Sequence, residues 1–422
     1  MSKFVIEGGN KLSGEVQIQG SKNAAFPVIA ACILSSEICE IENVPEILDV
    51  ENFLNILASL GAEVKFSNHK LSISAREIKN QDLGADLMGK LRGSVLYAGA
   101  LLARFGQVRF AFPGGDAIGS RPIDAHLNGF RKLGAEVVES GNFIDITGKE
   151  LKGNKIVMGV TSVTGTENLI LASVLAKGVT EIKLAATEPH VQNLCNFLNK
   201  MGAKIAGVGS PNLAIAGVER LQGTRFTLGS DEIETLTYCV AAAVTRGKVK
   251  IKGVELKNLD APLSVLESMK VNLKTHSSAQ GDWIEIREPI AKYQGVKIVT
   301  GVFPALLTDH QPLLGVLATQ AEGETTIHDW IYEGRQGYLR ALKEMGANVQ
   351  FEDVHRSRIF GPTALHGVEI MTPDLRAGAS ILIAALVAKG RSIIYNAGII
   401  DRGYERLDEK LRNLGAKIER VE

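Results

Sequence analysis

The sequence sets acids and bases where its backbone is most pliable. In "PGGDAIGSRP", residues 113–122, two glycines and a proline lead into Asp116, and a Gly-Ser-Arg-Pro turn leads out past Arg121. A carboxyl group and a guanidinium on one Gly-rich loop suit proton transfer beside a bound anion. Other charged residues stand just ahead of apolar runs: Lys22-Asn23, Arg92, Thr166-Glu167, Asp231-Glu232, Thr308-Asp309 and Asp374-Leu375-Arg376. If those runs are helices, their starts present free N–H groups and the positive end of the macrodipole, which favour anions. Capping accounts for the acids and threonines, and Asp231 reads equally well as a cap. It does not account for Lys22, Arg92 and Arg376, which the dipole repels by about 0.3–1 kcal/mol each. Cations there make sense if a phosphate or carboxylate binds.

The elements that must position these groups repeat. "LASLGAEVKF" (57–66), "FRKLGAEVVE" (130–139), "LNKMGAKIAG" (198–207), "LKEMGANVQF" (342–351) and "LRNLGAKIER" (411–420) share one pattern, and "LESMKVNLKT" (266–275) is a weaker sixth copy. Each reads as the last turns of a helix, a Gly stop and a strand. A spacing of roughly 70 residues makes each copy a whole supersecondary unit. Ahead of each lies an Ala- and Leu-rich run with little polar face, such as "KNAAFPVIAACIL" (22–34) or "DLRAGASILIAALVAKG" (374–390), the pattern of a helix buried on nearly all sides. A short β-branched strand follows, as in "TEIKL" (180–184) and "KVKIKG" (248–253). The expected unit is buried helix, strand, second helix, strand. Six units predict an α/β protein of two domains with three units each, divided near 224–234. The N-terminal "FVIEGGNKLSGEVQIQGSK" reads as two strands able to join either domain. Twenty residues separate Ile182 from Gly202, but twenty-four separate Phe110 from Gly134, so the Gly-rich loop is an insertion into a regular unit. Pro122 suits the first helical position after it.

With 47 basic and 47 acidic residues among 422, the chain has no overall field drawing it to nucleic acid or a membrane. Cys32, Cys39, Cys195 and Cys239 form no C-x-x-C pair, and no His cluster has metal spacing. Scattered thiols, no apolar leader and no spanning run point to a cytoplasmic location. A monomer is the favoured state.

"GSKNAAFPVIAACIL", "GSRPIDAHLNGFRKLGAEV", "TSVTGTENLILAS", "PDLRAGASILIAAL" and "IDRGYERLDEKLRNLGAKIERV" together resemble the enolpyruvyl transferases, from end to end of the chain. The resemblance implies two inside-out α/β barrel domains, each of three repeated units with buried helices. Residues 22–229 would form the first domain and carry a lid loop at about 111–122. Residues 1–21 and 230–422 would form the second, with the active site in the cleft between them. It also implies transfer of the enolpyruvyl group of phosphoenolpyruvate to the 3-hydroxyl of UDP-N-acetylglucosamine, with release of phosphate, as the first committed step of peptidoglycan synthesis. No metal or organic cofactor is implied.

Residue by residue, the resemblance makes Asp116 the general acid for C3 of phosphoenolpyruvate and Asp309 the candidate base for the sugar hydroxyl. A carboxyl donates a proton at neutral pH only where its surroundings favour the neutral form, as nearby substrate anions do. Lys22, Arg92, Arg121 and Arg402 would hold phosphoenolpyruvate, Asp374 and Arg376 would order the closed cleft, and Asn23 would position the sugar. The uridine side would be read by Arg121, Pro122, Ile123, Asp124 and Ala125, by Val160, Thr161, Ser162 and Val163, and by Ile331. His126 is expected to pack behind the loop. The family usually carries a cysteine, alkylated by fosfomycin, where this chain has Asp116, so an aspartate-type, fosfomycin-insensitive enzyme is expected. Further departures are Val160 where a lysine is frequent, Leu306-Leu307 where Phe-Pro is usual, and Glu232 where an arginine is common. The alternatives are the shikimate-pathway sister enzyme, whose first helix carries a different motif, a catalytically silent UDP-sugar-binding paralogue, and a purely structural scaffold.

Overall fold

The structure, a computed structural model, describes residues 2–116 and 118–422. Met1, and Ala117 within the expected loop at 111–122, lie outside the described residues. Residues 20–116 and 121–229 form one compact unit, here the N-proximal unit. Residues 2–19, 118–120 and 230–422 form the other, the C-proximal unit.

Each unit is three repeats. In the first, the buried helix Lys22–Ala31 is followed by strand Cys39–Glu42, the outer helix Leu48–Ser59 and a hairpin of Glu63–Ser67 with Lys70–Ser74. The expected unit closed on one strand, and here the structure corrects it. The hairpin turn is Asn68-His69, with both residues at positive φ, 49° and 59°. That is the geometry of a two-residue hairpin turn, made without the Asn-Gly or Asp-Gly pair that marks one in a sequence. A further strand ahead of a buried helix pairs in parallel with the strand after it. Lys155–Val157 joins Val179–Lys183, Lys297–Val299 joins Gly323–His328, and Glu369–Met371 joins Arg391–Tyr395. Parallel neighbours need such a crossover, and the buried helix supplies it. Among the described residues five sheets have four strands and one has three, where a bridge from Leu83 to Phe110 takes the fourth place.

The N-terminal strands complete sheets of the C-proximal unit. Lys3–Glu7 lies between Arg391–Tyr395 and Lys417–Val421, and Ser13–Gln17 runs parallel to Lys248–Val254. In the N-proximal unit Arg225–Thr227 fills the matching place beside Cys39–Glu42.

The stop signal of the repeat has one backbone cause. Gly61, Gly134, Gly202, Gly346 and Gly415 all take φ between 93° and 103°, the left-handed conformation that ends a helix cheaply only at glycine. In the weaker copy Lys270 adopts φ 65° at the same place.

The helices read as apolar all round are enclosed. All thirteen residues of Glu232–Val244 and all eleven of Leu375–Ala385 are buried. Several helix starts differ from expectation. The third buried helix, expected from Thr166, begins at Val163, because the Ser162 side chain caps it by accepting from the Gly165 N–H at 3.2 Å. Arg92 opens a 3-10 turn, Arg92–Val95, that feeds the helix Leu96–Phe105. Thr308-Asp309 precede the helix Gln311–Ala318 rather than opening it. Pro122 is not the first helical residue, since the helix after the loop is Asp124–Lys132 with Ile123 at its cap.

Enclosure on all sides demands small residues where helices meet. A Cβ on Gly315, inside Gln311–Ala318, would collide with the Tyr338 hydroxyl. Gly315→Ala is expected to lower stability by about 2 kcal/mol, because a fully buried ring has nowhere to go. A fall in the urea midpoint at unchanged slope checks it.

Candidate active site

In the N-proximal unit the first cation is not solvated. Lys22, the first residue of its helix, is buried and pairs with Asp49 at 2.7 Å. Asp49, only 1% exposed, stands in the first turn of the outer helix Leu48–Ser59 of the same repeat. Asp49 was not among the residues expected at the site. Asn23, beside Lys22, is half-buried.

The Gly-rich loop folds around two guanidiniums. Arg121 Nη2 donates to the Asp116 carbonyl at 2.8 Å, and Arg92 Nη2 donates to the Arg121 carbonyl. Gly115, at φ 128°, lies against both: a Cβ there would stand 2.5 Å from Arg121 Nη2 and 2.9 Å from Arg92 Cβ. Asp116 and Arg121 of the loop and Arg92 of the 3-10 turn, all singled out from sequence, are thus brought together, and glycine at 115 is what lets them pack.

His126 does lie behind this loop, on the helix Asp124–Lys132, and is 1% exposed. The amide of Asn168 donates to its Nδ1 at 2.8 Å, so Nε2 carries the proton and faces Thr164 Oγ1 at 3.2 Å. Asn168 also donates to the Val95 carbonyl and accepts from the Gly99 N–H. Burial, helped by the Arg92 charge, takes His126 down to about 3, so it is neutral at every physiological pH. It is a fixed strut between the segment 121–125 and the helix start at 162–164. Of the residues assigned to the uridine side, Ile123 is buried, Pro122 and Asp124 are exposed, and Val160 is 62% exposed. Arg121, Ala125, Thr161, Ser162 and Val163 are half-buried.

In the C-proximal unit Asp309 is the hub. Its Oδ1 accepts from Arg335 Nη2 at 2.6 Å and its Oδ2 from Arg376 Nε at 3.1 Å. Burial alone would raise its pKa, but Arg335 and then Arg376 outweigh that and hold the carboxyl well below the usual carboxylate range. A carboxylate so gripped accepts hydrogen bonds readily and protons poorly. Arg335 also reaches Thr308 Oγ1, which donates to Asp329 at 2.5 Å, and Asp329 in turn accepts from the Ile331 N–H at 3.1 Å. Asp309 is therefore wired to Ile331. Arg335, at the start of the 3-10 turn Arg335–Gly337, was not among the residues expected at the site. Asp374 caps the helix Leu375–Ala385 by accepting from the N–H groups of Arg376 and Ala377. Asp231 is likewise a cap, accepting from Ile233 and Glu234. Arg402 is half-buried at the end of the 3-10 turn Ala397–Arg402.

Two buried acids escaped the sequence reading as chemistry. Burial, then the Glu188 charge, pushes Glu167 well above the usual range, and burial, then Asp231, pushes Glu232 up to about 8. Glu232 opens the buried helix Glu232–Val244, and Glu167 lies one turn into Val163–Ser173.

Residues 6–411 match the family described as EPSP synthase (3-phosphoshikimate 1-carboxyvinyltransferase), and the chain belongs to that family, the enolpyruvyl transferases. Its α/β fold is the family's. It superposes on the enolpyruvyl transferase NikO from Streptomyces tendae with a TM-score of 0.90 at 26% identity, covering 100% of this chain and 99% of that one. The EPSP synthase of Acinetobacter baumannii shares the fold, with a TM-score of 0.79 at 21% identity and full coverage of both chains. Within the family the chain is 40% identical over 425 residues to the UDP-N-acetylglucosamine 1-carboxyvinyltransferase of Koribacter versatilis, covering 100% of this chain and 97% of that protein. The protein of that name from Coxiella burnetii (strain Dugway 5J108-111) is also 40% identical, over 423 residues, with 100% and 96% covered. The chain is a transferase of the enolpyruvyl group. No helix of the described residues is long and apolar enough to cross a membrane.

The neutral state of His126 has a measurable consequence. Its folded pKa lies below the unfolded value near 6.5, so the stability it contributes is present above pH 6.5 and lost as pH falls towards 3. At pH 5 the loss from this one group is about 2 kcal/mol relative to neutral pH. Urea unfolding at pH 7 and pH 5 is expected to show a smaller difference in His126→Gln than in the parent chain.

Proposed function

We propose that the chain transfers the enolpyruvyl group of phosphoenolpyruvate to the 3-hydroxyl of UDP-N-acetylglucosamine, opening peptidoglycan synthesis. The observation that carries this reading is end-to-end identity of 40% with proteins named for that reaction. With it goes the organisation expected from sequence: two inside-out α/β barrel domains, 22–229 and 1–21 plus 230–422, with groups from both acting on the same pair of substrates.

The reaction is addition followed by elimination. The sugar 3-oxygen bonds to C2 of phosphoenolpyruvate and loses its proton to Asp309, while C3 gains a proton from Asp116. C3 of the tetrahedral adduct then loses a proton, the C2–O bond to phosphate breaks, and the double bond reforms as an enol ether. Lys22, Arg92, Arg121 and Arg402 hold the phosphate and carboxylate and spread the charge that develops on them. Lys22 does this from a buried pair with Asp49, so its ammonium is fixed before substrate arrives. Asp374 orders the helix start that carries Arg376, and Arg376 holds Asp309. Residues 121–125, 160–163 and Ile331 read the uridine diphosphate, with Asn23 against the sugar. Val160 leaves this chain without a cation at that point of the diphosphate site.

Asp116 makes this an aspartate-type enzyme. A carboxylate is a far weaker nucleophile than a thiolate towards the epoxide of fosfomycin, yet its acid form donates a proton equally well.

Phosphate release from phosphoenolpyruvate, with and without UDP-N-acetylglucosamine and fosfomycin, tests the reading. Release is expected to need the sugar nucleotide, to survive the drug, and to fall by roughly 100-fold or more in Asp116→Asn. A folded protein that releases nothing under any condition would instead be a silent UDP-sugar-binding paralogue.

A further inference from the structure

Close to the Asp309 clamp two buried polar atoms lack hydrogen-bond partners: Glu232 Oε1 and Arg376 Nη1. Glu232 is 3% exposed and Arg376 5% exposed. They sit in the first turns of Glu232–Val244 and Leu375–Ala385, two helices that pack against each other, and the Arg376 charge acts on the Glu232 carboxyl. Arg376 meets Asp309 through Nε alone. A buried acceptor and a buried donor, both unsatisfied and in electrostatic reach, are each costly to leave so, and pairing them would satisfy both. Nothing in the transfer mechanism uses Glu232.

We propose that Glu232 is a positioning residue for Asp309: when ionised, it draws the Arg376 guanidinium away and frees Asp309 to accept the hydroxyl proton. Asp309 is held by two guanidiniums, and losing one makes it the stronger base that proton abstraction needs. This deepens the proposed transfer reaction and rests on it.

The groups around Glu232 set when this happens. Asp231 precedes it on the same chain, and Asp309 and His310 stand ahead of Gln311–Ala318. Arg376 lies on the packed helix with Tyr404 beside it, and Glu255 lines the same shallow depression as Glu232. His310 contributes no charge at neutral pH, since burial takes it down to about 4. Burial, with Asp231 adding repulsion and Arg376 opposing it, puts Glu232 at about 8. Below that pH Glu232 keeps its proton and Arg376 stays on Asp309. Above it Glu232 is an anion and competes.

The test is kcat against pH, between about 6.5 and 9.5, for the full chain with both substrates saturating, in the parent, Glu232→Gln and Glu232→Asp. The parent is expected to rise about threefold or more through pH 8, Glu232→Gln to lose the rise with KM for both substrates little changed, and Glu232→Asp to restore it. A flat or falling parent profile, or a rise that persists in Glu232→Gln, overturns the proposal. If Glu232→Gln does not fold, the midpoint of the rise decides: it is expected to move in Glu232→Asp, and a midpoint unchanged from the parent overturns the proposal. Absence of sugar-dependent phosphate release from the parent at every pH is a different result, which overturns the reading of the reaction and this proposal with it.

Discussion

Asp309, half-buried, keeps its charge because two guanidiniums meet it, Arg335 on one oxygen and Arg376 on the other. An isolated buried carboxylate would take up a proton instead. The requirement that every enclosed charge be met shapes the rest of the C-proximal unit. Arg335 must come from the start of an outer helix and Arg376 from the start of a buried one, so the repeats have to bring those starts together. Lys22 and Asp49 meet the same requirement in the N-proximal unit, again between a buried and an outer helix start.

The apolar helices explain why chemistry gathers at these starts. A helix buried along its whole length offers no polar face, and its backbone hydrogen bonds are satisfied internally except at the ends. Free N–H groups and fixed side chains therefore coincide at the N-termini. A phosphate or carboxylate binding there finds donors already in place, which is the preorganisation that charge-developing steps need. The Gly-rich loop adds what rigid helix starts lack, a carboxyl on a pliable backbone, anchored by Arg121 through the Asp116 carbonyl.

Much of this was legible in the sequence because it has strong local causes. Left-handed glycines after the outer helices repeat as written, and the weak sixth copy is weak because Lys270 bears the strain that glycine avoids elsewhere. Continuous Ala and Leu runs could hardly be anything but enclosed helices. In the first repeat the hairpin was missed because Asn68-His69 turns without a glycine, and the start at Val163 was missed because Ser162 caps earlier than the charged pair suggests. Pairings were harder still. Asp49 and Arg335 carry no local mark of function, since each gains its role from a partner 26 or 27 residues away. The depressed basicity of Asp309 follows from its two arginine partners, so a base assigned from resemblance overlooked the grip that restrains it.

The most direct measurement is the fate of phosphoenolpyruvate labelled with carbon-13 at C2, incubated with the protein and UDP-N-acetylglucosamine and followed by NMR. Enolpyruvyl transfer predicts that the labelled carbon appears in an enol ether bonded to the sugar 3-oxygen, with one phosphate released for each ether formed. Label recovered as pyruvate, with the sugar nucleotide unchanged, would mean that the helix-start cations serve simple hydrolysis, and would contradict the assignment of Asp309 and Asp116 to transfer.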